Sequence, residues 1–203
     1  MTETSLSLLN RLRSDPESES WGRLAELYAP LIRAWLRRYE VQESDADDLI
    51  QEVLLAVSQD LRKFRPGARS GAFRAWLRAI LINRLRNHWR ARNRLPQTAG
   101  ESALERKLAE LENPMSDLSR IWNEEHDQAV LNRLLKIVEP HFAPATWEAF
   151  CRVAFDGDNP RDVAADLQIS LNAVAIAKSR VLNRLRQEAA GLVDSSSRFF
   201  LGD

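Results

Sequence analysis

Cysteine and glycine are scarce in this sequence. Its 203 residues include one cysteine, Cys151, and seven glycines. A single cysteine excludes an internal disulfide and a metal site built from several thiolates, and it fits a reducing compartment. Long apolar runs are also missing: none approaches the roughly 20 residues of a membrane span, and the opening MTETSLSLLNRLRSD lacks the apolar core of a signal peptide. We therefore expect a soluble, cytoplasmic protein without membrane contact.

Histidine is also scarce, and the chain has no net charge. The three histidines, His88, His126 and His141, lie far apart and lack the spacing of metal ligands, so we expect neither a metal nor another cofactor. The formal net charge is zero, but the charges are segregated along the chain. Every charged residue from Glu40 to Asp60 is acidic, and every one from Arg62 to Arg94 is basic. Such segregation creates local fields that the net charge hides.

Strand-like alternation is not sustained anywhere, and apolar residues recur at helical spacing. We predict an all-α protein with two small helical domains joined by a flexible linker. The first unit covers residues 1–94, the linker 95–117, the second unit 118–192 and a tail 193–203. The linker has few large apolar residues, a proline near each end and one weak helical pattern, ESALERKLAELE.

The first unit has four helical patterns, over residues 4–14, 18–39, about 44–60, and 71–94. Ser44 is a plausible N-cap for the third, since acidic residues follow it in the first turn. The fourth should be the longest helix of the chain. Its apolar stripe follows a 3, 4, 7, 8 spacing and predicts a buried side: Phe73, Trp76, Leu77, Ile80, Leu81, Leu85 and His88.

The fourth pattern, GAFRAWLRAILINRLRNHWRARNR, contains no acidic residue. A second stripe along it can donate hydrogen bonds to phosphates and base edges: Asn83, Arg86, Asn87, Arg90 and Arg94. Solvated helix faces usually mix both signs of charge, so nucleic acid is favoured over a merely solvated face. Trp76 suits the core, while Trp89 suits either the core or a stacking platform for an unpaired base.

The preceding acidic pattern, DADDLIQEVLLAV, places Asp48, Gln51, Glu52 and Leu55 on one face. Paired carboxylates can serve acid–base or metal chemistry, but this helix has no histidine and no glycine-rich phosphate loop adjoins it. Two interpretations remain open. The face is either a capped and solvated acidic surface, or a docking surface for a basic protein partner.

The C-terminal unit ends with a helix, a short turn and a basic helix. Ser170 can cap the last helix, which carries Lys178, Arg180, Arg184 and Arg186 and packs through Val174, Val181 and Leu185. This order is typical of the helix-turn-helix, whose second helix enters the major groove of DNA, although many helical bundles share it. Cys151 lies in an apolar helix and suits a small buried residue better than a nucleophile.

Together these features resemble the extracytoplasmic-function (ECF) group of bacterial RNA polymerase sigma factors. DADDLIQEV at 45–53 is similar to the D-x-x-D-L-x-Q-E-V signature of that group. Phe64, a glycine-containing loop and GAFRAWLRAILIN are similar to its F-x-x-x-x-x-F-x-x-W-L-x-x-I-x-x-N stretch. The opening SLLNRLRSDPESESWGRLAELYAPLI looks like a subgroup common in planctomycetes.

The resemblance implies partners and residues. The first unit would be sigma domain two, and its partner would be core RNA polymerase with its β and β′ subunits. The acidic helix would bind the β′ subunit through Asp45, Asp48, Leu49, Gln51, Glu52 and Leu55. The loop 65–72 with Phe64 would hold a base flipped from the minus-ten promoter element. That element would be engaged by Phe64, Arg65, Arg69, Arg74, Asn83, Arg86, Asn87 and Arg90.

The second unit would be sigma domain four, with its recognition helix, 171–186, in the major groove of the minus-35 element. The residues implied there are Ser170, Asn172, Ala175, Lys178, Ser179, Arg180 and Asn183. The sequence departs from the family here, because AVAIAKSRVL stands where T-V-K-S-R-L is common. An anti-sigma factor or a regulatory kinase is a further candidate partner.

We therefore expect a sigma factor without catalytic residues, which directs core polymerase to promoters and helps to melt them. Unstacking each base costs roughly a few kcal/mol. Contacts made only to the open strand would offset this cost and so favour melting. The alternatives are a stand-alone helix-turn-helix regulator of duplex DNA and a structural helical adaptor. A regulator has no need of the acidic docking face, and an adaptor leaves the arginine stripe unexplained.

Overall fold

A computed structural model of the chain describes residues 12, 20–64, 71–92, 103–190 and 192. None of these lies in a β-strand, which confirms the all-α prediction. The pattern predicted over 4–14 lies outside the described residues except for Leu12. In chain order the helices are α1 (Ser20–Arg38), α2 (Glu43–Asp60), α3 (Ala72–Arg92), α4 (Ala103–Glu112), α5 (Asp117–Val138), α6 (Pro144–Cys151), α7 (Pro160–Asp166) and α8 (Leu171–Ala189).

The first three helices form around a core that their apolar periodicity predicts. Ile32 and Trp35 of α1, Val53 of α2, and Leu81 and Leu85 of α3 are completely buried. Not every predicted core residue is fully enclosed, since Trp76, Ile80 and His88 are partly exposed. Burial of an aliphatic or aromatic side chain contributes about 1.5–3 kcal/mol, so this shared stripe fixes which faces of α2 and α3 remain outside.

Helix α2 starts one residue earlier than the predicted cap. Gln42, in an extended conformation, is the N-cap residue, and its carbonyl accepts hydrogen bonds from the backbone N–H groups of Asp45 and Ala46. Ser44 is therefore inside the helix, and its hydroxyl lies 3.3 Å from an Asp45 carboxylate oxygen. Arg33 of α1 holds Glu43, the first helical residue, at 2.6 Å. The N-cap prediction was wrong because a contact from α1 anchors the helix start.

The segment predicted as a linker contains a packed helix. Helix α4 matches the weak pattern seen in the sequence, and its Leu108 and Leu111 are fully buried in the main core. Helix α4 packs on α3 and on α5. Residues 93–102 lie outside the described residues. The flexible linker was predicted from composition alone, and composition does not show that Leu108 and Leu111 are buried against other helices.

Within the described residues, α5 has 22 residues and α3 has 21, so α5 and not α3 is the longest helix there. The helix packs directly on α1. Trp122 of α5 meets Trp35 of α1 edge to face, with ring centroids 5.1 Å apart, and its indole N–H donates to the carbonyl of Arg74 at 3.2 Å. One hydrophobic core thus runs from α1 through α5 to α8. The division into units at 94 and 118 stays a prediction.

The C-terminal helices form the helix–turn–helix order that the sequence indicates. After α6 a π-helical stretch, Arg152–Asp156, ends at Gly157, whose φ of 73° is left-handed and is readily adopted by glycine. Helix α7 ends at Asp166, Gln168 two residues further on is also left-handed, and the N–H of Ile169 donates to the carbonyl of Ala164. The Ser170 hydroxyl accepts from the N–H of Ala173 at 3.1 Å, so the predicted cap of α8 is confirmed.

Candidate functional site

The outer face of α2 forms one wall of an open groove. Asp48, Gln51, Glu52 and Leu55 line it, as the sequence pattern placed them on one face. Helix α1 supplies the opposite wall with Trp21 and Ala25, and the remaining lining residues are Leu54, Ser58, Gln59 and Arg62. Leu55 is 57% exposed in the middle of this polar surface. Leu55 and the partly exposed Trp21 and Leu54 make the groove apolar as well as acidic, a combination that suits a protein partner.

Two other residues predicted for the same contact lie elsewhere. Leu49 is 4% exposed and belongs to the core, so it can only support the face from beneath. Asp45 lies at the N-terminal end of α2, where it forms an ion pair with Arg92 of α3 and approaches the ring of His88 at 3.7 Å. The groove therefore brings together four of the six predicted docking residues.

The arginines of α3 have acidic neighbours that the local sequence does not show. Arg74 binds Asp127 of α5 at 2.7 Å, and Arg84 lies 4.0 Å from Glu52 of α2. Arg86 is bound by two carboxylates of α4, at 3.3 Å from Glu105 and 2.7 Å from Glu112. The Glu112 carboxylate raises the pKa of Arg86 and has its own pKa lowered by that guanidinium. Charges separated along the chain are thus paired in space.

The predicted DNA-facing stripe of α3 is open only in part. Asn83, Asn87 and Arg90 are exposed, whereas Arg86 retains 19% of its side-chain exposure. Arg74 is largely enclosed by its contact with Asp127. Arg65, Arg69 and Arg94, and most of the loop 65–72, lie outside the described residues.

An aromatic cluster stands beside that loop. The Phe64 ring stacks on Trp76 at 4.7 Å, and Phe73 meets both rings edge to face. Phe64 and Trp76 are partly exposed, so their outer edges form an apolar surface at the start of α3. Trp89, at the other end of α3, is half-buried against His88. Trp89 is therefore neither fully buried in the core nor fully exposed for stacking on an unpaired base.

A buried polar cluster between α1, α3 and α5 was not predicted. His126 is completely buried, with Nε2 3.2 Å from the Tyr28 hydroxyl and Nδ1 3.0 Å from Asp127. Burial lowers the pKa of His126, and burial followed by the charge of Asp127 raises the pKa of Tyr28. A neutral ring with its proton on Nδ1 donates to Asp127 and accepts from Tyr28, which satisfies both nitrogens. The sequence feature that could have indicated this cluster is the polar pair His126 and Asp127 within the apolar pattern of α5.

The outward face of α8 carries hydrogen-bonding, apolar and basic side chains. The predicted residues Ser170, Asn172, Ala175, Ser179, Arg180 and Asn183 are exposed, and Lys178 is partly buried, which fits an aliphatic stem against the domain. Val174, Val181 and Leu185 are buried on the opposite side, as predicted. Cys151 is partly buried, and burial raises the pKa of its thiol, which fits a packing role better than a nucleophile.

Residues 24–95, from α1 to just beyond α3, match the family described as Sigma-70 region 2. The matched segment contains the α2 face and the α3 stripe. This segment is therefore similar to region 2 of the sigma-70 family, and the match covers about a third of the chain. No match was found among curated proteins.

The described part of the chain contains neither a candidate membrane span nor a candidate metal cluster. No helix there is both long and apolar enough to cross a membrane. No group of three or more histidine, cysteine or acidic side chains in that part could hold a metal ion.

Proposed function

We propose that the protein is an ECF-type sigma factor that docks on core RNA polymerase through α2 and engages two promoter elements through α3 and α8. In this proposal it acts in the cytoplasm, has no catalytic residues and is controlled by an anti-sigma factor or a regulatory kinase. The planctomycete-type opening belongs to the same proposal. The observation that carries it is the α2 groove, because the region 2 match and the exposed face coincide there.

The α2 groove has the chemistry of a docking site. Asp48 and Glu52 lie one helical turn apart and place two carboxylates on one rim, and Leu55 follows on the same face. Charge complementarity guides the approach of a basic partner, while a central apolar contact slows its release. Neither feature serves a regulator that binds duplex DNA alone.

The minus-ten element is assigned to the start of α3 and to its exposed stripe. Phe64 and Trp76 offer an apolar surface next to the loop proposed to hold a flipped base. Asn83, Asn87 and Arg90 follow at helical spacing and are exposed. Stacking on an aromatic ring is worth about 1–3 kcal/mol per base, which is comparable to the cost of unstacking it.

Reversing the charge of the groove tests the docking role. In Asp48→Lys/Glu52→Lys two like charges face a basic partner, and repulsion of several kcal/mol should weaken core binding by at least about 100-fold. The measurement is co-purification with bacterial core enzyme, followed by run-off transcription on genomic fragments with mapped start sites.

The matched control is Asp47→Lys/Asp60→Lys, which makes the same charge change on the same helix outside the groove. It should retain core binding. Equal binding by the two double variants would remove the docking role from this face. Tight promoter binding by the chain without polymerase would instead favour the stand-alone helix-turn-helix regulator.

A further inference from the structure

The first turns of α8 expose large apolar side chains on the side that faces away from the protein. Leu171 is 48% and Ile176 47% exposed, and Ala175 between them is also exposed. Among the described residues only a few large apolar side chains are this open, and two of them stand within six residues here. Single exposed apolar residues need no explanation, but neighbouring ones on a recognition helix affect what that helix can read.

These side chains share a face with the hydrogen-bonding residues of α8. Asn172, Ala175, Ile176 and Ser179 follow an i, i+3, i+4, i+7 spacing, so they form one outward stripe. The opposite side is fixed by Val174 and Ala177, which are buried in a small core with residues of α6 and α7. Rotation of the helix to hide Ile176 would therefore expose this packing.

Charge identifies nucleic acid as the partner of this stripe. From Leu171 to Gln187 no exposed residue of α8 is acidic, and Arg180 and Arg186 extend the same side toward the C-terminus. The carboxylate of α8, Glu188, is buried against Arg184. A protein partner would explain the exposed apolar residues but not the basic residues that flank them. DNA would explain both, because the basic residues can contact the phosphates on either side of the base edges.

The base edges that complement this stripe are those of A·T pairs. The only base-pair group in the major groove that offers apolar contact is the C5-methyl of thymine, and asparagine pairs with adenine. The N-terminal residues of a recognition helix are the ones that reach base edges. The side chains of Ala175 and Ile176 can contact methyl groups but cannot donate or accept hydrogen bonds.

Resting on the proposed function, we infer that Ile176 and Ala175 are specificity determinants that read thymine methyl groups in the upstream promoter element, beside an adenine read by Asn172. The selectivity is then carried by shape and apolar contact at these positions. A cytosine or guanine there would place a polar edge against Ile176 without a partner.

The test replaces thymine by deoxyuridine, which removes the methyl group and leaves the pairing edge unchanged. Holoenzyme assembled from the full chain and core polymerase first selects upstream elements from promoters randomised in that region. Each thymine of the selected duplex is then exchanged singly, and run-off initiation is measured. Burial of one methyl is worth about 0.8 kcal/mol, so the exchange at the contacted position should reduce initiation about fourfold.

Ile176→Ala should abolish the thymine-to-uracil difference at the position that Ile176 contacts, and the readout is this ratio within the variant, not its absolute rate of initiation. The control is Met115→Ala, which removes an exposed apolar side chain, 91% exposed, between α4 and α5; it should keep the fourfold difference. The inference is overturned if the selected element is G·C at these positions, or if no single exchange matters. It is also overturned if Ile176→Ala retains the difference.

Failure of the proposed function would look different. A chain that never redirects initiation overturns both the function and this inference. A chain that initiates from selected promoters without methyl sensitivity overturns the inference alone. A chain whose Ile176→Ala variant loses binding to a protein, with unchanged initiation, would assign the apolar stripe to protein contact and again overturn it.

Discussion

His126 shows how one buried group can make stability depend on pH. Its ring is enclosed between Tyr28 and Asp127, with Arg74 next to that carboxylate. Burial lowers the pKa of His126 below its ordinary value of 6.5. The unfolded chain therefore binds a proton more readily than the folded one just below pH 6.5, and the free energy of unfolding falls as pH falls through this value. Above it the contribution is fully present.

We expect the urea midpoint of the protein to decrease on acidification from pH 7.5 to pH 5.5, with the decrease setting in near the unfolded pKa. His126→Gln should remove most of this decrease, because an amide does not titrate. His141→Gln, which changes a histidine outside the cluster, should retain it. A midpoint that stays flat in the unmodified protein, or one equally sensitive in His126→Gln, would contradict a buried neutral ring.

At the same scale, the sequence predicts some site residues well and others badly. Asp48, Gln51 and Glu52 could be placed because a regular helix fixes which side chains share a face, and the structure has them on one groove. The partners of Arg86 and Arg74 could not be placed, since Glu105 and Asp127 lie on other helices. Periodicity determines the face of a helix but carries no information on which helix faces it.

Helix α8 depends on its cap at the level of a single element. Ser170 satisfies one of the N–H groups that a helix start leaves unpaired. We expect Ser170→Ala to lower the free energy of unfolding by about 1 kcal/mol. Ser179→Ala, an exposed hydroxyl in the middle of the same helix, should change it by less than about 0.5 kcal/mol. Chemical denaturation of both variants measures the difference, and equal losses would argue against the cap.

Helix α4 supplies both carboxylates that bind Arg86. Glu105 and Glu112 occupy the guanidinium that the proposal assigns to the minus-ten strand. We expect Glu105→Gln/Glu112→Gln to bind single-stranded minus-ten oligonucleotides several-fold more tightly, because the arginine no longer exchanges one anionic partner for another. Fluorescence anisotropy with labelled oligonucleotide measures this change.

The control for that experiment is Glu110→Gln, which removes a carboxylate of α4 that does not contact Arg86. It should leave the affinity near that of the unmodified chain. If Glu110→Gln increases binding as much as the double variant does, general charge explains the gain, and the contact with Arg86 has no particular role.

At the scale of the whole molecule, the main core connects helices that the composition assigned to separate units. Trp35, Trp122 and Val181 belong to one buried cluster. We expect unfolding to be a single transition, with circular dichroism and tryptophan fluorescence giving the same midpoint. Trp122→Ala should lower the free energy of unfolding by about 3–5 kcal/mol without splitting that transition. Two separated midpoints would instead show that the units unfold independently.

The all-α class was predictable because helical periodicity extends over most of the chain, and so was the order of the C-terminal helices. The joining of α4 and α5 to the rest was not, because Leu108, Leu111 and Trp122 read only as local apolar positions. Long-range packing of this kind depends on shape, which a composition change at residue 95 does not encode. A weak helical pattern in a polar segment proved to be a core element.

The pairing of Arg86 with Glu112 also has an ionic consequence. Single-stranded nucleic acid releases condensed counterions when arginines neutralise its phosphates, about 0.7 per contact. An arginine that must first break an ion pair with a carboxylate gives a smaller net release of ions, because the freed carboxylate attracts cations from solution. Association through this side of α3 should therefore vary less steeply with ionic strength than its number of arginines suggests.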